Sequence, residues 1–186
     1  MLPIPPGRRS KEEVLAEMRA ARDHDVAWRQ GRVFSLVYHG GDEVEDLLQE
    51  AFTLFFAENG LHPAAFASLR KFETEVVAMS ASLLGGDDQV AGTMTSGGTE
   101  SLLLAVKTAR DWARVHRPEV QAPEMVLPMT AHPAFDKAAH YFGVKAVPVP
   151  VGDDCRAVPE AMRAAMTPNS ILMAGSAPSY PQGVVD

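Results

Sequence analysis

The chain has 186 residues, is 46% hydrophobic and 22% charged, and carries a formal net charge of −7, a balance that predicts a globular protein with a real core. An acidic chain without a block of basic residues is not expected to bind nucleic acid. Its longest apolar runs, such as residues 102–106, are far too short to span a membrane, which takes about 20 apolar residues.

The N-terminal stretch predicts an extended arm followed by a helix. Prolines at positions 3, 5 and 6 bar a helix over residues 1–7. Ser10 and Glu13 have capping-box spacing and are followed by apolar residues on one face, so a helix is expected to start at Ser10. The sequence "GRVFSLVYHGG" then predicts a short extended stretch closed by glycines.

Two further helices are predicted before residue 85. Asp42 and Glu45 repeat the capping-box spacing, and the helix that they cap is expected to run to Asn59-Gly60, a left-handed helix end. The apolar face of this helix is expected to pack against the body of the protein. A third helix is predicted over residues 66–84, where Gly85 and Gly86 end it.

Helices and short apolar segments alternate after residue 85. This order predicts an α/β domain with a mainly parallel sheet and crossover helices. The prolines within "VKAVPVPV" predict a sheet edge or a strand end there. We expect a helical N-terminal segment over residues 1–66 and the α/β domain over residues 67–186. Helices are predicted over residues 99–116, 132–142 and 158–166, and strands over residues 124–129, 144–151 and 170–176, the first and last of them buried.

A glycine-rich stretch runs directly into one of these helices, in the sequence "TMTSGGTESLLLAVKTARDWAR". Glycines let the backbone approach a ligand closely, and the free amides and the dipole of a helix start favour an anion. The stretch is therefore interpreted either as a phosphate site or as a plain turn capped by Ser or Thr. Spacing alone leaves both open and favours the plain turn.

Four ordered stretches of the chain resemble known enzymes. "GTMTSGGTESLLLAVKTARD" is similar to the phosphate-binding segment of group II pyridoxal 5'-phosphate (PLP) decarboxylases and their relatives. The other three resemble the sphingosine-1-phosphate lyase family: "VYHGGDEVEDLLQEAFTLFFAENGLHPAAFASLRKFETEVVAM", "AHPAFDKAAHYFGVKAVPV" and "SAPSYPQGVVD". The resemblance implies the α/β fold of type I PLP enzymes, which is aspartate-aminotransferase-like. It also implies a homodimer with active sites at the subunit interface.

The resemblance implies roles for individual residues. Gly98 and Thr99 match positions that hold the cofactor phosphate, and His132, the catalytic candidate, matches a histidine that stacks on the pyridine ring. Tyr38 and His62 match residues that contact the substrate phosphate at the other subunit's site. No metal ligand is expected. The weaker candidates are His39, Asn59 and Ser176.

Simpler interpretations stand beside these roles. His132 is otherwise a helix-start residue facing water, although its place after a buried strand puts it at the carboxyl edge of the sheet, where ligands gather. Tyr38 is otherwise an interface tyrosine, and His62 a turn histidine. Without the family resemblance, these last two interpretations are the preferred ones.

For the complete enzyme, the resemblance implies PLP-dependent cleavage of a phosphorylated long-chain base, such as sphingosine 1-phosphate, to a fatty aldehyde and phosphoethanolamine. Two alternatives stay open: an amino-acid decarboxylase, and a non-catalytic cofactor-binding or dimerisation fragment. The family's cofactor lysine follows a histidine, and no His-Lys pair occurs in this sequence. We therefore expect the chain to supply part of an active site whose lysine lies in a C-terminal part of the enzyme, and to be inactive alone.

The remaining features predict a cytoplasmic location. The N-terminus lacks the basic-then-apolar order of a signal peptide. The single cysteine, Cys155, cannot form an internal disulfide, and its acidic neighbours Asp153 and Asp154 disfavour a reactive thiolate.

Overall fold

The computed structural model describes residue 4 and residues 6–186. The chain divides into two compact units, Met1–Arg70 and Lys71–Asp186. The predicted N-terminal arm lies outside the described residues at positions 1–3 and 5. Within the part of the chain that is described, no helix has the length and apolar character needed to cross a lipid bilayer.

The first unit begins with a capped helix. Ser10 Oγ accepts the N–H of Glu13 at 3.1 Å, and the Glu13 carboxylate accepts the N–H of Ser10 at 2.7 Å, so the predicted capping box is confirmed. The predicted extended stretch is interrupted, because Ser35 and Leu36 have φ angles of 59° and 63°. The elements of this unit are helix α1, Lys11–Arg22, a 3₁₀ turn, Trp28–Gln30, and helix α2, Asp42–Leu54.

Helix α2 differs from its prediction at both ends. Asp42 is the first helical residue and not the cap, because Gly41, with a φ of 97°, takes the N-cap position and no side chain caps the helix. The Glu45 carboxylate pairs instead with His39 and Arg29. The helix ends at Leu54, five residues before the predicted end, because Phe55 leaves helical geometry with φ −107° and ψ 16°.

The apolar face of α2 is exposed. No residue of this helix is buried, and Leu48 and Phe52 are 61% and 71% exposed. The packing of this face against the body of the protein stays a prediction. A contiguous exposed apolar face of this kind is typical of a contact surface.

The second unit contains the α/β domain. Its three strands form a parallel sheet in the order β2-β1-β3, which confirms the predicted α/β class and the edge position of the proline-containing strand. Helix α3, Ala67–Leu83, begins shortly before this unit. The elements that follow are α4, Gly98–His116, β1, Glu124–Pro128, α5, Ala134–Phe142, β2, Lys145–Val149, α6, Pro159–Ala164, and β3, Ser170–Met173.

The central strand β1 is buried along its whole length. Val106 of α4 and Ala138 of α5 pack with Met125 on one face of the sheet. Met162 of α6 packs with Val126 on the other face. Successive side chains of a strand point to opposite faces, so β1 is apolar at every position after Glu124, because helices cover both faces.

The last strand is shorter and less buried than predicted. It ends at Met173, which is 45% exposed. One further backbone bond, from the N–H of Ala174 to the carbonyl of Val126 at 3.2 Å, closes the ladder to β1. The prediction of a buried strand over residues 170–176 is therefore wrong in extent and in burial, because β3 lies at the edge of this sheet.

Candidate active site

The strand order predicts a ligand-binding position at the carboxyl edge of the sheet. The chain passes from β1 to β2 on one side and then to β3 on the other side of β1. The strand order therefore reverses between β1 and β3. In open α/β sheets, ligands bind at such a reversal, beyond the carboxyl ends of the strands. The loops that leave β1 and β3, over residues 129–133 and 174–180, border this position.

Helix α4 brings a third segment to the same edge. Just after its C-terminal end, Arg117 donates a hydrogen bond to the carbonyl of Ser170, the first residue of β3, at 2.9 Å. Because the helix packs along the sheet and ends where the strands begin, it runs antiparallel to them. Its 19 residues span about 28 Å at the rise of an α-helix. Its N-terminus at Gly98 therefore lies at the carboxyl edge.

The start of α4 is open. Gly97 holds the N-cap position with a φ of 157°, and no side chain caps the helix, so the plain turn capped by Ser or Thr is not observed. A Cβ atom added at Gly97 or Gly98 would meet no atom within 4 Å. The backbone N–H groups of Gly98 and Thr99 have no acceptor among the described residues. Free amides at the positive end of a helix favour an anion.

The side chains around this helix start bond to each other. Thr95 Oγ1 lies 2.7 Å from Ser101 Oγ and donates to the carbonyl of Gly97 at 3.0 Å. The Glu100 carboxylate accepts the backbone N–H of Ser96 at 2.6 Å. Hydrogen bonds from the side chain and the backbone of Ser96 hold the pKa of Glu100 below its ordinary value. The carboxylate is therefore ionised and engaged near neutral pH.

His132 lies in the loop between β1 and α5, and it is exposed. Its Nδ1 atom accepts the backbone N–H of Ala134 at 3.1 Å, so Nδ1 carries no proton in this arrangement. This bond orients the imidazole ring at the start of α5 and occupies only its edge. The role as a helix-start residue is thus observed, and it leaves the faces of the ring available for stacking.

The loop after β3 contributes hydroxyl groups. The backbone N–H of Ser176 donates to Asp186 Oδ2 at 2.8 Å, which anchors this loop. Two hydroxyls that the sequence analysis missed, Thr130 Oγ1 and Ser179 Oγ, are buried without a hydrogen-bond partner among the described residues. The signal that could have identified them is their position a few residues beyond the carboxyl ends of β1 and β3.

The four other predicted site residues belong to the first unit. Tyr38 is 84% exposed. His39 Nδ1 lies 2.7 Å from Glu45 Oε1, and Asn59 Oδ1 accepts the N–H of Leu61 at 3.0 Å. His62 Nδ1 accepts the N–H of Ala65 at 3.1 Å. Each histidine and the asparagine therefore has a local structural contact, and no hydrogen bond joins Tyr38 to His62 within the described residues.

Proteins of similar sequence identify the family that the chain resembles. No family model matches the chain. Over 182 residues, 94% of its length, the chain is 43% identical to the sphingosine-1-phosphate lyase of Arabidopsis thaliana. Over 177 residues, 95% of its length, it is 42% identical to sphingosine-1-phosphate lyase 1 of Rattus norvegicus.

Over nearly all of its own length, the chain is similar to part of the sphingosine-1-phosphate lyases. It spans about a third of the length of the curated relatives it matches, 33% of the plant protein and 31% of the rat protein. The resemblance predicted from the four stretches of sequence is confirmed.

Solved structures confirm the fold. A sphingosine-1-phosphate lyase of Burkholderia pseudomallei superposes with a TM-score of 0.90 at 34% identity, covering all of this chain and 44% of that one. Glutamate decarboxylase of Lactobacillus brevis superposes with a TM-score of 0.73 at 19% identity, again covering all of this chain and 44% of that one, which shows a common fold alone. The predicted fold class, the α/β fold of type I PLP-dependent enzymes, is therefore correct.

Proposed function

We propose that this protein acts in the PLP-dependent cleavage of a phosphorylated long-chain base, such as sphingosine 1-phosphate. The products are a fatty aldehyde and phosphoethanolamine, and this chain supplies part of the active site. The observation that carries the proposal is the open N-terminus of α4 at the carboxyl edge of the sheet. The His132 loop lies at the same edge, as expected of a site for a cofactor that has an anionic group and a ring.

The residues present fit the phosphate group of PLP. The free N–H groups of Gly98 and Thr99 offer two donors to one anion, and the hydroxyl of Thr99 offers a third. The space beside Gly97 and Gly98 is not filled by any side chain. This combination of free donors and open space fits a site for a tetrahedral anion better than it fits a capped turn.

His132 holds the ring of the cofactor in this proposal. When bound, PLP supplies an aldehyde that condenses with the substrate amine and a protonated ring that takes up the electrons of the broken bond. The hydrogen bond from Ala134 to Nδ1 fixes the plane of the imidazole ring. A fixed imidazole would orient the cofactor ring that stacks on it relative to the substrate bond to be cleaved. Ser176 is a weaker candidate for contact with the same ring.

Tyr38 and His62 bind the substrate phosphate in this proposal, at the site of a second copy of the protein. The exposed phenol of Tyr38 can donate to a phosphate oxygen. While Nδ1 of His62 accepts from Ala65, its Nε2 has no hydrogen-bond partner among the described residues. His39 and Asn59 are secondary candidates because their side chains already have partners. The exposed apolar face of α2 supports a homodimer.

The covalent anchor for the cofactor is proposed to lie in another part of the enzyme. The sequence contains no His-Lys pair, and the family resemblance places the lysine after a histidine. The site is therefore proposed to be completed by a C-terminal part that carries the lysine. We propose a cytoplasmic location for the assembled enzyme.

The test compares three substrates with the assembled enzyme, which includes the C-terminal part that carries the lysine, in the presence of added PLP. A phosphorylated C18 base should release a long-chain aldehyde, detected by a hydrazine reagent, and its unphosphorylated analogue should react much more slowly. Release of CO₂ from amino acids, without any aldehyde from the phosphorylated base, would instead show a decarboxylase. PLP binding with neither reaction would show a non-catalytic cofactor-binding protein.

A further inference from the structure

The Glu100 side chain stands beside the proposed phosphate site without a role in it. Glu100 is the third residue of α4, and its carboxylate accepts the backbone N–H of Ser96 at 2.6 Å. We propose that Glu100 is a positioning residue, which holds the turn before α4 in the shape that leaves the amides of Gly98 and Thr99 free for phosphate. This inference rests on the proposed function.

The turn has little else to fix its shape. Gly97 and Gly98 have no side chains, so each loses more conformational entropy on ordering than another residue would. One clamp precedes them, where Thr95 bonds to Ser101 and to the carbonyl of Gly97. The Glu100 bond is a second clamp, at the backbone N–H of Ser96, the residue directly before Gly97. If it is removed, the binding of phosphate has to order the turn, and affinity falls.

The negative charge of Glu100 acts in the opposite direction. A carboxylate this close to the helix start repels a phosphate dianion, so the charge by itself weakens binding. The hydrogen bond and the charge can be separated by substitution. Glu100→Ala removes both, whereas Glu100→Gln keeps an acceptor oxygen for the N–H of Ser96 and removes the charge.

The experiment uses calorimetry to measure the Kd of PLP and of inorganic phosphate for the assembled enzyme after its cofactor has been removed. Glu100→Ala should bind both about three- to tenfold more weakly, the equivalent of one lost hydrogen bond. Glu100→Gln should bind them as tightly as the parent or more tightly. Glu160→Ala removes a first-turn carboxylate from α6 and is the matched control, with no change expected.

Several results would overturn the inference. Unchanged binding by Glu100→Ala would show that the bond to Ser96 does not matter, and tighter binding would show that only the charge matters. Equal weakening by both Glu100 variants would show that an acceptor oxygen for the N–H of Ser96 does not hold the turn. If the alanine variant does not fold, weakened binding by Glu100→Gln is sufficient to reject the role. A parent protein that binds neither PLP nor phosphate would refute the proposed function itself, and the role of Glu100 with it.

Discussion

Replacing Gly98 by alanine should separate folding from cofactor binding. Gly98 is the first residue of α4, its φ lies outside the left-handed region, and an added Cβ meets no atom within 4 Å. Alanine at a helical position that accepts it without strain raises the free energy of unfolding by about 0.4–1 kcal/mol, because the unfolded chain loses freedom. The same methyl group would project into the open space proposed for the phosphate.

The cost to binding should be much larger than the gain in stability. An extra methyl group in a filled site costs about 1–3 kcal/mol, so the Kd for PLP should rise by about one to two decades. Urea denaturation gives the change in stability, and calorimetry with PLP gives the change in affinity.

Gly97→Ala is the contrasting variant. The φ of Gly97 is 157°, and an alanine forced into that region should lower the stability by about 1–3 kcal/mol. If Gly98→Ala binds PLP as tightly as the parent, the phosphate does not lie at this helix start and the proposed site is wrong. If Gly98→Ala binds PLP weakly only because it unfolds, the alanine side chain does not fit at this position, contrary to the open space described beside Gly98.

Four further predictions concern the cofactor, the substrate, acid stability and the anchor. Thr99→Ala should weaken PLP binding by about one to two decades, the worth of one hydrogen bond to a charged group; an unchanged Kd would contradict this. Tyr38→Phe, or His62→Asn, which keeps an acceptor for the turn, should leave the PLP absorption spectrum unaltered. Turnover of the phosphorylated base should then fall by about tenfold or more, with a smaller loss for the unphosphorylated analogue, and equal losses would indicate a structural role. Hydrogen bonds from Lys145 and Thr167 hold the pKa of Glu124 below its ordinary value of 4.5, so its contribution to stability is present above that value and is lost as the pH falls through the lowered pKa. Glu124→Gln should flatten the acid limb of a urea-midpoint profile, and parallel profiles would refute this. Borohydride reduction of this chain alone with PLP, followed by peptide mass mapping, should find no stoichiometric label on a lysine, since the sequence has no His-Lys pair.

The sequence predicted the elements of the α/β domain well because their signals are local. Gly143 ends α5 with a φ of 63°, as its position after an apolar face predicted, and the alternation of helix and strand predicted parallel pairing. The ends of α2 were predicted wrongly for an equally local reason. The side chain expected to close the capping box, Glu45, bonds to His39, and Asn59, the expected helix end, instead forms a turn with Leu61.

The candidate site could be predicted only in part. The motif around Gly98 and the family resemblance pointed to the start of α4, which the structure shows to be open, and the position of His132 after β1 predicted the carboxyl edge. What sequence cannot supply is the order of the strands, which decides that the loop after β3 borders the same position. The bond from Glu100 to Ser96, and the burial of the Ser179 hydroxyl without a partner among the described residues, are likewise visible only in three dimensions, because the residue types alone do not indicate them.

The antiparallel course of α4 makes this helix a rod that is fastened at one end and carries the proposed phosphate site at the other. The fastening is Arg117, whose guanidinium donates to the carbonyls of Ser170 and Pro168. The distance between the two ends is about 28 Å, so the attachment lies well away from any substrate. An engineer could therefore adjust the tilt of the proposed phosphate site from the opposite edge of the sheet, by changing the bonds of Arg117, without altering any residue proposed to contact the cofactor.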